Sequence, residues 1–249
     1  MKDKSAWEMA GRFNGMVATN RATFDKQLNE LNSQVLQVAE LVEVQAEQAI
    51  CALQKHDLEV AHRVNEFDKT INQKRYEIEE RCYTLLALQQ PNSRDMRRIV
   101  ANVSVVTNLE RMGDHAAGIA RLVLRLPETI SEVPEFGEMM KVANANLRDA
   151  MIGFAHNDTD LVREVVRRDA QIDALHKKVY DRLIKLMIAD PTQIECATML
   201  LWVSHNIERY ADRISNICER IIYMVTGNLH EPRPVPVPTY KELEPAPVS

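Results

Sequence analysis

Asn108-Leu109-Glu110-Arg111-Met112-Gly113-Asp114 returns toward the end of the chain as Asn206-Ile207-Glu208-Arg209-Tyr210-Ala211-Asp212. A repeat of this kind restricts the fold strongly, because the unit that carries the first copy has to be built again for the second. Each copy lies in a long stretch whose apolar residues recur every three or four positions, the period of an α-helix. Residues four apart on a helix share a face. Glu110 therefore stands with Asp114, and Glu208 with Asp212. The first pair projects with Ile99, Val103 and Ala117, while Arg97, Ser104, Arg111 and His115 project elsewhere and read as the wet face. The second pair shares its direction with Ala197, Leu201 and Ser215. Carboxylates on the border of an apolar stripe need a countercharge, a proton or a metal.

The rest of the chain agrees with a duplication. His56-Asp57 matches Asn157-Asp158, Phe67-Asp68 with Ile71-Asn72 matches Arg168-Asp169 with Ile172-Asp173, and Pro91 matches Pro191. Phe24, Leu28, Leu31, Val35, Val38, Leu41, Val42, Ala49 and Leu53 mark a first helix. Further helices are expected over about 58–89, 94–126, 136–155, 158–189 and 193–226. Pro91, Pro127, Pro134 and Pro191 punctuate them, and Gly227 closes the last. Six helices in two sets of three predict an all-α protein of two tandem antiparallel three-helix bundles. The division is a polar arm over 1–22, a first repeat over 23–127, a second over 134–227 and a proline-rich tail over 228–249. The arm is expected as a loose segment or short extra helix. Six of the ten prolines fall in the tail, which is expected to be extended or disordered.

Composition narrows the function. A net charge of −5 argues against non-specific nucleic-acid binding, which depends on neutralising phosphates. Four scattered cysteines form no Cys-x-x-Cys pair and are expected as core fillers. Without a secretory leader or a run of eighteen apolar residues, the expectation is a cytoplasmic protein with reduced thiols and no membrane span. There is no P-loop, Gly-x-Ser-x-Gly elbow or glycine-rich phosphate cradle. A di-iron oxidase needs two facing Glu-x-x-His pairs; Glu59-x-x-His62 and Asp173-x-x-His176 are not related by the repeat.

The acids form a larger constellation. Asp169 and Asp173 precede the Pro191 turn by about as much as Glu208 and Asp212 follow it, so an antiparallel hairpin brings them to one level. Asp68 and Asn72 stand likewise before Pro91, with Glu110 and Asp114 after it. Four acids (Asp169, Asp173, Glu208, Asp212), with Asn216 one turn on, make an all-oxygen site that suits Mg²⁺, Ca²⁺, Mn²⁺, iron or, less ideally, Zn²⁺. Several carboxylates at one level can bridge more than one ion. The first set (Asp68, Asn72, Glu110, Asp114) has three acids and an amide, and Gly118 stands where Asn216 would be, so weaker binding is expected there. His205 is a further candidate for the second site. The competing reading is a metal-free helical adaptor whose acids pair with arginines.

The two motif copies, together with Asp169-x-x-Ile172-Asp173, resemble the signature of the PhoU family over about residues 24–226. The resemblance implies two three-helix bundles related by a pseudo-twofold axis, with multinuclear iron or zinc clusters at the acidic motifs. It implies a cytoplasmic, dimeric accessory protein of the high-affinity phosphate ABC transporter. Such a protein negatively regulates the phosphate-starvation response by contacting the transporter ATPase and a membrane sensor histidine kinase, at the inner face of the membrane, and is not an enzyme. Asn72 and Gly118 depart from the family pattern and fall on the first site.

Overall fold

A computed structural model describes the backbone of residues 4–89, 91–127 and 133–228 and the side chains of 21–88, 91–127 and 133–228. The expected proline-rich tail, from residue 229, and the middle of the inter-repeat linker lie outside these residues. The described chain holds α1 (Lys4–Lys55), α2 (Leu58–Gln89), α3 (Ser93–Val123), α4 (Glu135–His156), α5 (Thr159–Arg168), α6 (Ala170–Ala189), a 3-10 turn (Pro191–Gln193) and α7 (Ile194–Thr226), and no strand.

The apolar stripes form the core. Phe24, Leu28, Leu31, Val35, Val38, Val42, Ala49 and Leu53 of α1 are all buried, against Ile99, Val105, Leu109 and Met112 of α3 and Ile71, Ile78 and Cys82 of α2. In the second repeat Ile207, Tyr210, Ile214 and Cys218 of α7 bury against α4 and α6. The four cysteines are free, Cys82 and Cys218 fully buried. No described helix is long and apolar enough to cross a membrane.

The duplicated turns have the same construction. His56 and Asn157 both take left-handed backbone, with φ of 48° and 57°. The following aspartate caps the next helix: Val60 N donates to Asp57 Oδ1 at 2.9 Å, and Leu161 N to Asp158 Oδ1 at 3.1 Å. A side-chain oxygen there satisfies a backbone N–H that the first helical turn leaves open.

Two boundaries differ from expectation. The first helix begins at Lys4 and runs through the segment expected as an arm. The expected fifth helix is interrupted at Asp169, where Asp169 N bonds Val166 O at 3.4 Å and Ile172 N bonds Asp169 O at 2.9 Å. These are three-residue steps of a locally tightened helix, of the kind that collects at functional positions.

Each repeat packs within itself, α1 with α2 and α3, and α4 with α5, α6 and α7. The repeats join along α3 and α7, with α1 against α4. Arg97 lies against Gly227 and Gly118 against Asn206, so α3 and α7 run antiparallel. This corrects the wet face assigned to α3. Arg111 is exposed, but Arg97, Ser104 and His115 are half-buried, and His115 Nδ1 lies 3.3 Å from Asn206 Oδ1. A period read from one helix shows one apolar face; here a second face is covered by α7, where Asn206 meets His115 and Gly118.

Candidate metal centre

The register of α3 on α7 sets the two acidic motifs side by side in mid-helix, pointing away into their own repeats. At the first site α2 supplies Asp68 and Asn72 and α3 supplies Glu110 and Asp114. Glu110 is 6% exposed. Asn72 Nδ2 donates to Asp68 Oδ2 at 3.1 Å. Burial pushes the Asp68 carboxyl up, helped by the negative charge of Asp114. Burial does the same to Glu110, with Asp114 adding to it and Arg111 and Arg75 opposing it. Arg111, on the rim, holds Asp114 Oδ2 at 3.1 Å and passes 3.6 Å from Glu110 Oε2.

The second site repeats this plan. Asp169 and Asp173 come from the tightened α5–α6 junction, and Glu208, Asp212 and Asn216 from α7. Burial, then the charge of Asp212, pushes the Glu208 carboxyl up to about 7, with Asp173 and Asp169 adding to the effect. Burial and Asp212 also raise Asp173, which as a residue is exposed. Ser215 Oγ donates to Asp169 Oδ2 at 3.0 Å. Arg209 contacts Asp212 Oδ2 at 3.4 Å, as Arg111 does Asp114. His205 Nδ1 stands 3.5 Å from Glu208 Oε2. His176 Nδ1 meets Ser204 Oγ at 2.8 Å.

The paired helices thus bring together acids that the spacing predicts, close enough for Asp114 to raise Asp68 and Glu110 and for Asp212 to raise Asp173 and Glu208. As the side chains stand, no three His, Cys, Asp or Glu among the described residues converge into a ready coordination set. At the rim, Arg111 and Arg209 each hold one aspartate of the cluster, Asp114 and Asp212, in an ion pair. The donor chemistry nevertheless fits a hard cation. Asp68 Oδ1, Glu110 Oε2 and Glu208 Oε2 are enclosed and make no hydrogen bond, and buried carboxylate oxygens of this kind call for a proton or a metal.

Sequence reasoning missed two polar neighbours, Gln45 and Arg75, and weighed a third, His176, only as a di-iron ligand. Gln45 of α1 is 1% exposed, donates from Nε2 to Val64 O at 3.2 Å and leaves Oε1 unbonded at the first site. Its signal was present, for it falls on the α1 core stripe between Val42 and Ala49. Arg75 and His176 sit one turn beyond Asn72 and Asp173, and their approach to the acids is set by helix pairing.

A pseudo-symmetric pair of three-helix units, each with a carboxylate cluster between its last two helices, defines a duplicated bundle protein with two acidic centres. The chain belongs to the PhoU family: the PhoU domain model matches twice, over residues 35–123 and 136–221. It is 37% identical over 211 residues to the phosphate-specific transport system accessory protein PhoU homolog of Streptococcus pneumoniae serotype 4, covering 84% of this chain and 98% of the relative. Identity to the Escherichia coli K12 protein of that name, PhoU, is 31% over 209 residues, 82% of this chain and 86% of the other. The crystal structure of the phosphate transport system regulatory protein PhoU from S. pneumoniae superposes with a TM-score of 0.78 at 35% identity, over 84% of this chain and 99% of that one. PhoU from Pseudomonas aeruginosa also gives 0.78, at 33% identity, over 82% and 100%.

Proposed function

We propose that this protein is an accessory protein of high-affinity phosphate transport that holds down the phosphate-starvation response. Family membership supports this reading, as do the curated relatives, which are named as phosphate-specific transport system accessory proteins. The observation that carries it is the acidic cluster built twice, once on each helix of the antiparallel α3–α7 pair. In this reading the protein contacts the ATPase subunit of the ABC transporter and a sensor histidine kinase at the inner face of the membrane. It acts as a homodimer and catalyses no reaction of its own.

Asp169, Asp173, Glu208, Asp212 and Asn216 would hold metal at the second site, and Asp68, Asn72, Glu110 and Asp114 at the first. A bound cluster of iron or zinc, with magnesium, manganese or calcium as alternatives, supplies positive charge that the carboxylates lack and ties neighbouring helices together. The ion pairs Arg111–Asp114 and Arg209–Asp212 favour the second reading, a metal-free adaptor.

Deleting the gene should derepress a phosphate-starvation reporter in phosphate-rich medium, and the parent chain should restore repression and co-purify with the ATPase subunit. A reporter indifferent to deletion would overturn the regulatory reading.

A further inference from the structure

Because one repeat plan builds both sites, the positions where they differ carry information. The register that pairs Asp68 with Asp169 and Asn72 with Asp173 pairs Arg75 with His176. Burial supports that register: Ala61, Val64, Ile71, Ile78 and Cys82 are buried, and so are Val162, Val165, Ile172, Val179 and Leu183. One turn beyond the α2 ligand positions, the first site therefore carries a guanidinium where the second carries an imidazole.

Arg75 is not a solvated surface residue. Its side chain is 16% exposed, and Nε is enclosed without a hydrogen-bond partner. It reaches Glu79 at 3.6 Å, lies 4.4 Å from the Tyr76 ring centroid, and its charge acts on Glu110. Glu110 Oε2 in turn makes no hydrogen bond. From α1 comes the neutral Gln45, whose unbonded Oε1 lies 3.1 Å from where a Cβ on Gly113 would stand. The rim arginines Arg111 and Arg209 occupy matching places and do not distinguish the sites. The first site sets three carboxylates against Arg75. The second sets four against His176, which is held by Ser204.

We propose that Arg75 is the resident cation of the first acidic site and decides which of the two sites takes metal. Arg75 sets one fixed positive charge against the three carboxylates of the first site, and a multiply charged ion fills only the second at moderate concentration. Repulsion between a fixed guanidinium and an entering cation grows with the product of their charges and is weakly screened where water is excluded. Neither Asn72 nor Gln45 adds negative charge to offset it. The inference rests on the reading of the acidic clusters as metal sites.

The test uses the full chain, stripped with chelator and titrated with Zn²⁺ by calorimetry, with elemental analysis after desalting and circular dichroism to confirm folding. Glu208→Gln/Asp212→Asn should weaken binding by at least about tenfold, and by more than Glu110→Gln/Asp114→Asn does. Arg75→His, which copies the second repeat, should add a binding event that a further Glu110→Gln removes. Equal losses in the two double variants would overturn the assignment and leave the metal reading intact. A folded Arg75→His chain with no added binding would do the same. Absence of binding from the parent and every variant would overturn both.

Discussion

A Cβ on Gly118 would stand 2.7 Å from Asn206 Oδ1, so the two repeats touch where α3 has no side chain. Asn206 is tethered there, donating to Trp202 O at 2.8 Å while its Oδ1 lies 3.3 Å from His115 Nδ1. Gly118→Ala gains about 1 kcal/mol of helix propensity, which offsets displacing the Asn206 tip, so its melting temperature should stay near the parent's. Gly118→Leu has no such compensation and should cost about 1–3 kcal/mol. Thermal denaturation of the two variants checks the contact; equal, small effects would show that the helices separate easily.

Metal bound to the folded state stabilises it by mass action, by about 2.7 kcal/mol at one hundred times the dissociation constant. Zinc or iron should therefore raise the melting temperature of the parent chain. It should not raise that of Glu208→Gln/Asp212→Asn. A matching rise in both would place the metal elsewhere.

With metal removed, Glu208 gives the second site a pH dependence. Its carboxyl, pushed up to about 7 from the ordinary 4.5, holds a proton more tightly in the folded chain than in the unfolded one. The stability it contributes is full below pH 4.5 and is lost as pH rises through about 7. Glu208→Gln in chelator should melt above the parent at pH 8, and the gap should shrink at pH 5. A gap that does not change with pH would mean that the carboxyl is not desolvated.

Tyr210 is fully buried, and its hydroxyl donates to Asn144 Oδ1 at 2.9 Å. Tyr210→Phe strands that oxygen at a cost of about 1–3 kcal/mol. Converting Asn144 to Leu as well should recover part of the loss, because removing both partners is less costly than removing one. A double-mutant cycle on urea midpoints measures the coupling; additive losses would show the bond to be idle.

Much of this site could be read in advance because it is a matter of local spacing. Glu110 with Asp114, and Glu208 with Asp212, share a helix face by the helical period. Equal distances from Pro91 and Pro191 put Asp68 and Asp169 level with them. What could not be read is the direction in which the rim arginines pull, since Arg111 reaches both Glu110 and Asp114 from a place that depends on rotamers. Gln45 was overlooked because its contact with the first site joins residues far apart in sequence.

By itself the sequence determined the helices, their turns at His56-Asp57 and Asn157-Asp158, and the duplication, because short-range geometry and capping decide these. Tertiary structure alone decided that α3 lies antiparallel on α7, that His115 and Arg97 are half-buried there, and that the helix tightens at Asp169. The reason is physical. A helical period shows where the strongest apolar stripe points, whereas a second interface of polar and small residues, such as Gly118 with Asn206, becomes visible only when its partner is in place.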